Sequence, residues 1–584
     1  MACGTRTASM PVTFDGTVGL FSPAIGDAKP AAVLFAAPWG LEEMCTRKFF
    51  RILAEGLALK GIASLRFDYA GTGDSLKDSA AVTELQRWLD GFAAAAGQLK
   101  LFSGCERVVI VAQGIGAAVA VKALNIVGGF DAAVFLAPVV SGRSYLREMS
   151  VLSQMINDRL DLGEASPTGG GLTVAGLAMS ESLATDIKRI DLTRLDRISL
   201  RHALVFSRTE RPADSAFADH LRKLGVEVRQ EPFDGYAKLA SNPTLAVVPE
   251  EVVSRLVGWV DDLYSVAPPT HPAVEPPVAL HGADGFMERP MRFGEGDRMY
   301  GILCRPAEKI RERTVTVLLL SSGYDRLSGW GRSSTKAARA LAAQGICSLR
   351  FDCGNVADSP PSRRLDGQVL YHPLQIEDVV EAIAVLERHV PGTEIVVAGR
   401  CSGAYLGLQA SWVDDRIAGV VAVNPQVYAW PSGQSVDDAL ANPVQSMDHY
   451  FRSVQNLAVL KKIARGDVDL SGKLLPLAKA MACRAFRPLV RLIGGVTTRE
   501  RSVCSGFRTL AKRAARVHLL YSAGDIGLEE FGHFFGTKGE RLNRFPNMAC
   551  TLVPDADHNF TSERARQAWL AAIFHMVEIL EKRT

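Results

Sequence analysis

The segment Gly399-Arg-Cys-Ser-Gly403 sets a cysteine between two glycines at the spacing of a nucleophile elbow. In that sharp strand-to-helix turn the flanking positions leave no room for side chains. A thiol there stands at the start of the helix expected over 404–411, where the positive end of the helix dipole favours the thiolate, the reactive form. The N–H of Ser402 then points to where an oxyanion would form. The chemistry implied is attack of Cys401 on an acyl carbon, with an acyl-cysteine intermediate.

Such a nucleophile needs a base and a group to orient the base, and both follow in the chain order nucleophile, acid, histidine. Val517-His-Leu-Leu-Tyr-Ser-Ala-Gly-Asp525 reads as a strand ending in an acid, and Cys550-Thr-Leu-Val-Pro-Asp-Ala-Asp-His558 as a strand and loop ending in a histidine. His558 would take the thiol proton and return it to the leaving group, while Asp525 fixes its tautomer. Asp557 is the alternative acid, but a residue adjoining the histidine usually points away from it. The competing reading makes Cys401 one more buried thiol among ten cysteines. Three residues in mechanistic order weigh against it. The loop Ser321-Ser-Gly-Tyr-Asp-Arg-Leu-Ser-Gly329 is either a plain glycine turn or the source of a second oxyanion N–H, near Tyr324. Within it, Arg326 either binds a substrate anion or pairs with Asp325.

The elements that must position these residues are α/β in type. An apolar run (314–320), an amphipathic helix (335–344), the strand Ser348-Leu-Arg-Phe-Asp352 and the run Ile395–Gly399 alternate, which predicts a mostly parallel sheet with helices on both faces. The same order occurs earlier in the chain, with Ser64-Leu-Arg-Phe-Asp68 and the turn Gln113-Gly-Ile-Gly116. Two tandem α/β-hydrolase folds are therefore expected: residues 1–265, a linker over 266–280 with five prolines in Val266–Pro277, and 281–584. In the first copy Gly114 aligns with Cys401 and Ala237 with His558. Glu210 fits the acid position but has nothing to orient, so this copy reads as catalytically inactive. In the second copy an insert over about 427–516 exceeds what the fold requires and predicts a lid. Its residues 461–516 hold 14 Lys or Arg against Asp467, Asp469 and Glu500. That basic face is either a solvated surface or a site for an anionic partner: an acyl-CoA, an acyl carrier protein, an acidic glycan or an anionic membrane surface.

At 584 residues, with 47% hydrophobic and 22% charged residues, the composition is that of a folded globular chain. A net charge of +3 does not point to nucleic acid. No run approaches the roughly 18 apolar residues of a membrane span, and Met1-Ala-Cys-Gly-Thr-Arg6 lacks the apolar stretch of a signal peptide, so a cytoplasmic location is expected. The cysteines include no Cys-x-x-Cys pair, and no His cluster has zinc-ligand spacing, which indicates neither a disulfide framework, a metal site nor a cofactor.

The C-terminal half resembles the exosortase-associated α/β-hydrolases of bacterial exopolysaccharide systems, a cysteine-elbow branch related to serine aminopeptidase-like hydrolases. The resembling segments are Leu349–Asp352, Gly399–Gly403, Gly524-Asp-Ile-Gly-Leu-Glu-Glu-Phe531 and Ala556-Asp-His558, within residues 285–575. The N-terminal half resembles the companion type, whose members tend to lack a nucleophile, through Pro38-Trp-Gly-Leu-Glu-Glu-Met44 and Arg66-Phe-Asp-Tyr-Ala-Gly-Thr-Gly-Asp-Ser75. The resemblance implies hydrolysis or transfer of an acyl group in polysaccharide or related secondary metabolism. One departure is that the Gly71–Ser75 turn becomes Gly354-Asn-Val-Ala-Asp-Ser359 in the second half.

Overall fold

The computed structural model describes residues 9–76, 82–127, 129–160, 171–362, 364, 367–431, 435–436 and 497–583. Most of the lid expected over 427–516 lies outside them. In the first half the strands are β1 (Met10–Phe14), β2 (Thr17–Ser22), β3 (Ala31–Ala36), β4 (Ala63–Phe67), β5 (Arg107–Gln113), β6 (Phe130–Leu136), a separate hairpin of β7 (Leu172–Val174) and β8 (Leu177–Met179), β9 (His202–Ser207) and β10 (Glu227–Pro232). The second half has β11 (His281–Ala283), β12 (Phe286–Phe293), β13 (Met299–Pro306), β14 (Val315–Leu320), β15 (Ser348–Phe351), β16 (Glu394–Arg400), β17 (Ile417–Val423), β18 (Arg516–Ser522) and β19 (Met548–Val553).

The two sheets have one order. It runs β1-β2-β4-β3-β5-β6-β9-β10 in the first and β12-β13-β15-β14-β16-β17-β18-β19 in the second, where β11 adds an edge. The first three strands pair antiparallel and the rest parallel, as in an α/β-hydrolase fold. Parallel strands covered on both faces read as unbroken apolar runs. In β16, Ile395 and Val397 face one core, while Val396 and Ala398 face the other beneath the closing helix Glu563–Glu581. In β5, Val108 and Ile110 likewise oppose Val109 and Val111. Helix Glu250–Leu263 ends the first half and β11 opens the second, with the proline-rich segment between them. Among the described residues no helix is long and apolar enough to cross a membrane.

The halves are joined by a crossed set of buried ion pairs. Arg350 of β15 reaches Asp74 in the first half at 2.9 Å, and its counterpart Arg66 of β4 pairs with Asp358 in the second. Arg47 pairs with Asp358 at 2.6 Å and with Asp68 at 2.9 Å. The substituted turn keeps its shape, because Asn355 and Ala357 adopt φ of 64° and 40° where Gly71 and Gly73 have 77° and 48°. In both turns a serine hydroxyl bridges the sheet: Ser75 Oγ donates to Asp68 O and Ser359 Oγ to Asp352 O, each at 2.7 Å.

Candidate active site

β16 runs into helix Ser402–Val413 through Cys401, whose φ of 53° and ψ of −117° lie outside the regions comfortable for a side-chain-bearing residue. Both neighbouring glycines are sterically required. A Cβ on Gly399 would lie 2.5 Å from the Gly403 carbonyl carbon, and one on Gly403 would lie 2.6 Å from Ser321 O. The Cys401 N–H is tied to Val423 O at 2.8 Å, so the thiol projects from the turn half-buried. Ser402 opens the helix, where an N–H has no partner within the helix itself.

His558 and Asp525 come from the loops after β19 and β18, neighbouring strands in the sheet. His558 Nδ1 lies 2.6 Å from Asp525 Oδ2, and Asp525 Oδ1 accepts the Gly527 N–H at 2.8 Å. The His558 imidazole is close enough to Cys401 for each to shift the other's protonation. Asn424, at the end of β17, fixes the histidine loop by donating through Nδ2 to His558 O at 3.0 Å. Asp557 does not orient the imidazole. Its carboxylate accepts the N–H groups of Asn559 at 3.0 Å and Thr561 at 2.7 Å, shaping the turn that carries His558.

Burial raises the Cys401 thiol, but the charge and hydrogen bond of His558, then Arg400 and a hydrogen bond from Ser322, outweigh it and hold the thiol below its ordinary value. Burial disfavours charge on His558 as well, yet Cys401 and Asp525 raise it to about 10. The pair is thereby biased towards thiolate and imidazolium.

The loop after β14 packs against the elbow. The Gly323 N–H donates to Ser402 Oγ at 2.6 Å, and Tyr324, next along, uses its hydroxyl on Gln368 Oε1 at 2.5 Å. Arg326 corrects both sequence alternatives. It pairs not with Asp325 but with three acids of the first half: Asp68 at 2.8 Å, Glu43 at 3.0 Å and Asp74 at 3.3 Å. It is buried and neutralised there, so it has no guanidinium to offer a substrate anion. Asp325 pairs with Arg400 at 2.9 Å instead. Sequence reasoning missed Ser322, which helps to hold the Cys401 thiol down, and Tyr371, whose phenol is raised by burial and by the neighbouring Cys401. Ser322 had a signal, its place at the end of β14 beside the elbow, whereas Tyr371 follows no motif.

In the first half the elbow turn survives at Gly114, with φ 55°. A Cβ there would lie 2.5 Å from Glu42 Oε2, so a carboxylate fills the nucleophile's place. Glu42 Oε1 accepts from Gln113 Nε2 at 3.0 Å and Tyr236 Oη at 3.1 Å. Glu210 is exposed.

Residues 28–179 match the family model described as Serine aminopeptidase, S33. No curated protein is similar to the chain in sequence. Similar solved structures include a lidless α/β serine hydrolase from Xanthomonas campestris, with 14% identity and a TM-score of 0.30, over 51% of this chain and 96% of that one. An esterase of Pyrococcus furiosus gives 16% and 0.32, over 50% of this chain and 91% of that one. An acylaminoacyl peptidase of Pyrococcus horikoshii gives 14% and 0.33, over 51% and 42%. The sheet order gives the α/β-hydrolase fold twice in the chain, and the match to the serine aminopeptidase model lies in the first half, around Gly114.

Proposed function

We propose that the C-terminal half is an acyl hydrolase, an esterase or thioesterase, that works through an acyl-cysteine on Cys401. The observation that carries this reading is that the elbow holding Cys401 and the His558 imidazole, paired at 2.6 Å with the buried Asp525 carboxylate, lie beyond the same ends of the parallel strands of one sheet. The thiolate attacks the acyl carbon, and the carbonyl electrons move onto oxygen beside the N–H groups of Ser402 and Tyr324. Collapse expels the leaving group, which takes a proton from His558. The same imidazole then activates water to cleave the acyl-cysteine.

A thiolate exchanges readily with thioesters, which favours acyl-CoA or carrier-bound substrates, and the basic insert over 461–516 suits their anionic parts. A hydroxyl or amine acceptor in place of water would make the enzyme an acyltransferase in exopolysaccharide or secondary metabolism. The test is incubation with p-nitrophenyl esters and acyl-CoAs, followed by mass spectrometry of the trapped protein. An acyl adduct on Cys401 and loss of turnover in Cys401→Ala are expected. No turnover and no adduct with any of these substrates would leave a non-catalytic scaffold as the better reading, whereas turnover that survives Cys401→Ala would rule out Cys401 as the nucleophile. Diversion of product from free acid by added acceptors separates transfer from hydrolysis.

A further inference from the structure

Arg400 stands between Gly399 and Cys401 as the last residue of β16. Side chains alternate along a strand, so Arg400 shares the face of Val396 and Ala398, which pack in the core beneath helix Glu563–Glu581. A guanidinium on that apolar face has to be paired, and its two partners come from different loops. Nη2 donates to Asp325 Oδ2 at 2.9 Å in the loop after β14, and Nη1 donates at 2.5 Å to Oδ1 of Asn559, the residue after His558. Both loops are themselves stiffened. The Asp325 N–H closes a turn on Ser322 O at 2.9 Å around Gly323 and Tyr324, and the Asn559 N–H is held by Asp557 Oδ2 at 3.0 Å. One side chain thus joins the elbow, the loop beside it and the histidine loop. In the first half Gln113, which aligns with Arg400, donates to Glu42 Oε1 at 3.0 Å, and Tyr236, beside Ala237, donates to the same oxygen at 3.1 Å. There the tie fills the nucleophile's place, whereas in the second half it lies behind the elbow and Cys401 has that place.

From this geometry we infer that Arg400 is a positioning residue, whose bridge from Asp325 to Asn559 sets the histidine loop and the loop after β14 in register with Cys401. The inference rests on Cys401 being the nucleophile. Arg400 acts through its two partners and transfers no proton itself. Misplacing a reacting group by about 1 Å can cost on the order of 10²-fold in rate, so a tie that fixes both loops against the elbow has kinetic weight. The planar guanidinium presents its donors in a rigid fork and can hold two acceptors at once, which an ammonium on a flexible stem does not do. The charge of Arg400 also helps to hold the Cys401 thiol down, and charge and bridge are therefore separated by different variants.

Asn559→Ala cuts the bridge on the histidine side and leaves the guanidinium and Asp325 in place. With the histidine loop released, the pH profile of Cys401 alkylation by iodoacetamide should move to higher pH, because His558 no longer supports the thiolate as closely. An unmoved profile overturns the inference. Arg400→Lys keeps the charge and loses the fork, and it is expected to lower kcat for a p-nitrophenyl ester by about 10²-fold with KM little changed. Turnover within twofold of the parent overturns the inference as well, since charge alone would then suffice. Alkylation needs no acyl substrate, so Asn559→Ala still decides the bridge if the parent forms no acyl adduct, and that failure would instead count against the proposed function.

Discussion

Cys401 and His558 shift one another in opposite directions, the thiol down and the imidazole up, and this sets a pH dependence. The thiolate forms as pH rises through the lowered thiol value, and the imidazolium persists until pH approaches about 10. Alkylation of Cys401 should therefore already be fast below the ordinary cysteine range, near 8.5. Asp525→Asn removes the carboxylate 2.6 Å from His558 Nδ1, so the alkylation profile should move to higher pH. Turnover should fall on the order of 10³-fold, as measured with a p-nitrophenyl ester. An unmoved profile would mean that Asp525 does not support the pair. These three residues were legible because an elbow has a fixed spacing and the fold a fixed chain order. Arg326 and Tyr371 were not. The partners of Arg326 belong to the other half of the chain, and Tyr371 neighbours Cys401 from a loop with no motif.

At the scale of elements, the two elbows keep one backbone turn with and without a side chain at its apex. Gly114 and Cys401 have φ of 55° and 53°, so the strand-to-helix turn itself is intact in both halves. What differs is the helix Leu41–Leu59, whose Glu42 carboxylate occupies the space a side chain at 114 would need. Introducing Gly114→Cys into the Cys401→Ala protein is expected to restore no turnover. It should destabilise the protein by about 1–3 kcal/mol, read as a lowered denaturation midpoint, since both overpacking and a strained φ act against it. Recovery of ester cleavage would show that Glu42 moves aside. The alignment of Gly114 with Cys401 could be read from the sequence. The plug was hidden because Glu42 lies far from Gly114 in sequence. The turn Gly354–Ser359 carries the converse lesson. Its sequence departs from Gly71–Ser75, yet Asn355 and Ala357 take up the positive φ that glycines supply in the first half.

For the whole molecule, the repeated Leu-Arg-Phe-Asp segments hold the two halves together. Arg66 and Arg350 each cross to an acid of the opposite half, and Arg326 ties the loop beside the elbow to Asp68. The repeat that revealed the duplication therefore marks the junction of the halves rather than the reacting groups. Sequence gave no means of pairing acids with arginines so distant along the chain. Burial works against charge on Asp68, but Arg326 and Arg47 outweigh it and hold the carboxyl at about 2. Against an unfolded value of about 4, its contribution to stability is complete above about pH 4 and is lost as pH falls towards 2. Removing one charge from such a buried network unbalances the charges that stay, at a cost of up to about 3–5 kcal/mol, the figure for a pair broken from one side. Asp68→Asn should lower the urea midpoint accordingly at pH 7 and flatten the parent's loss of stability between pH 4 and pH 2. Adding Arg326→Met should cost less than the sum of the single changes, because both break the same ion pair. The same reasoning predicts that residues 281–584 expressed alone do not form a stable fold. Arg326 and Arg332, the latter held by the carbonyls of Gly73 and Ser75 at 2.8 Å, would be stripped of their partners in one step. A cooperative unfolding transition for that isolated half, with Cys401 alkylated as in the full chain, would show instead that the first half is dispensable for the site.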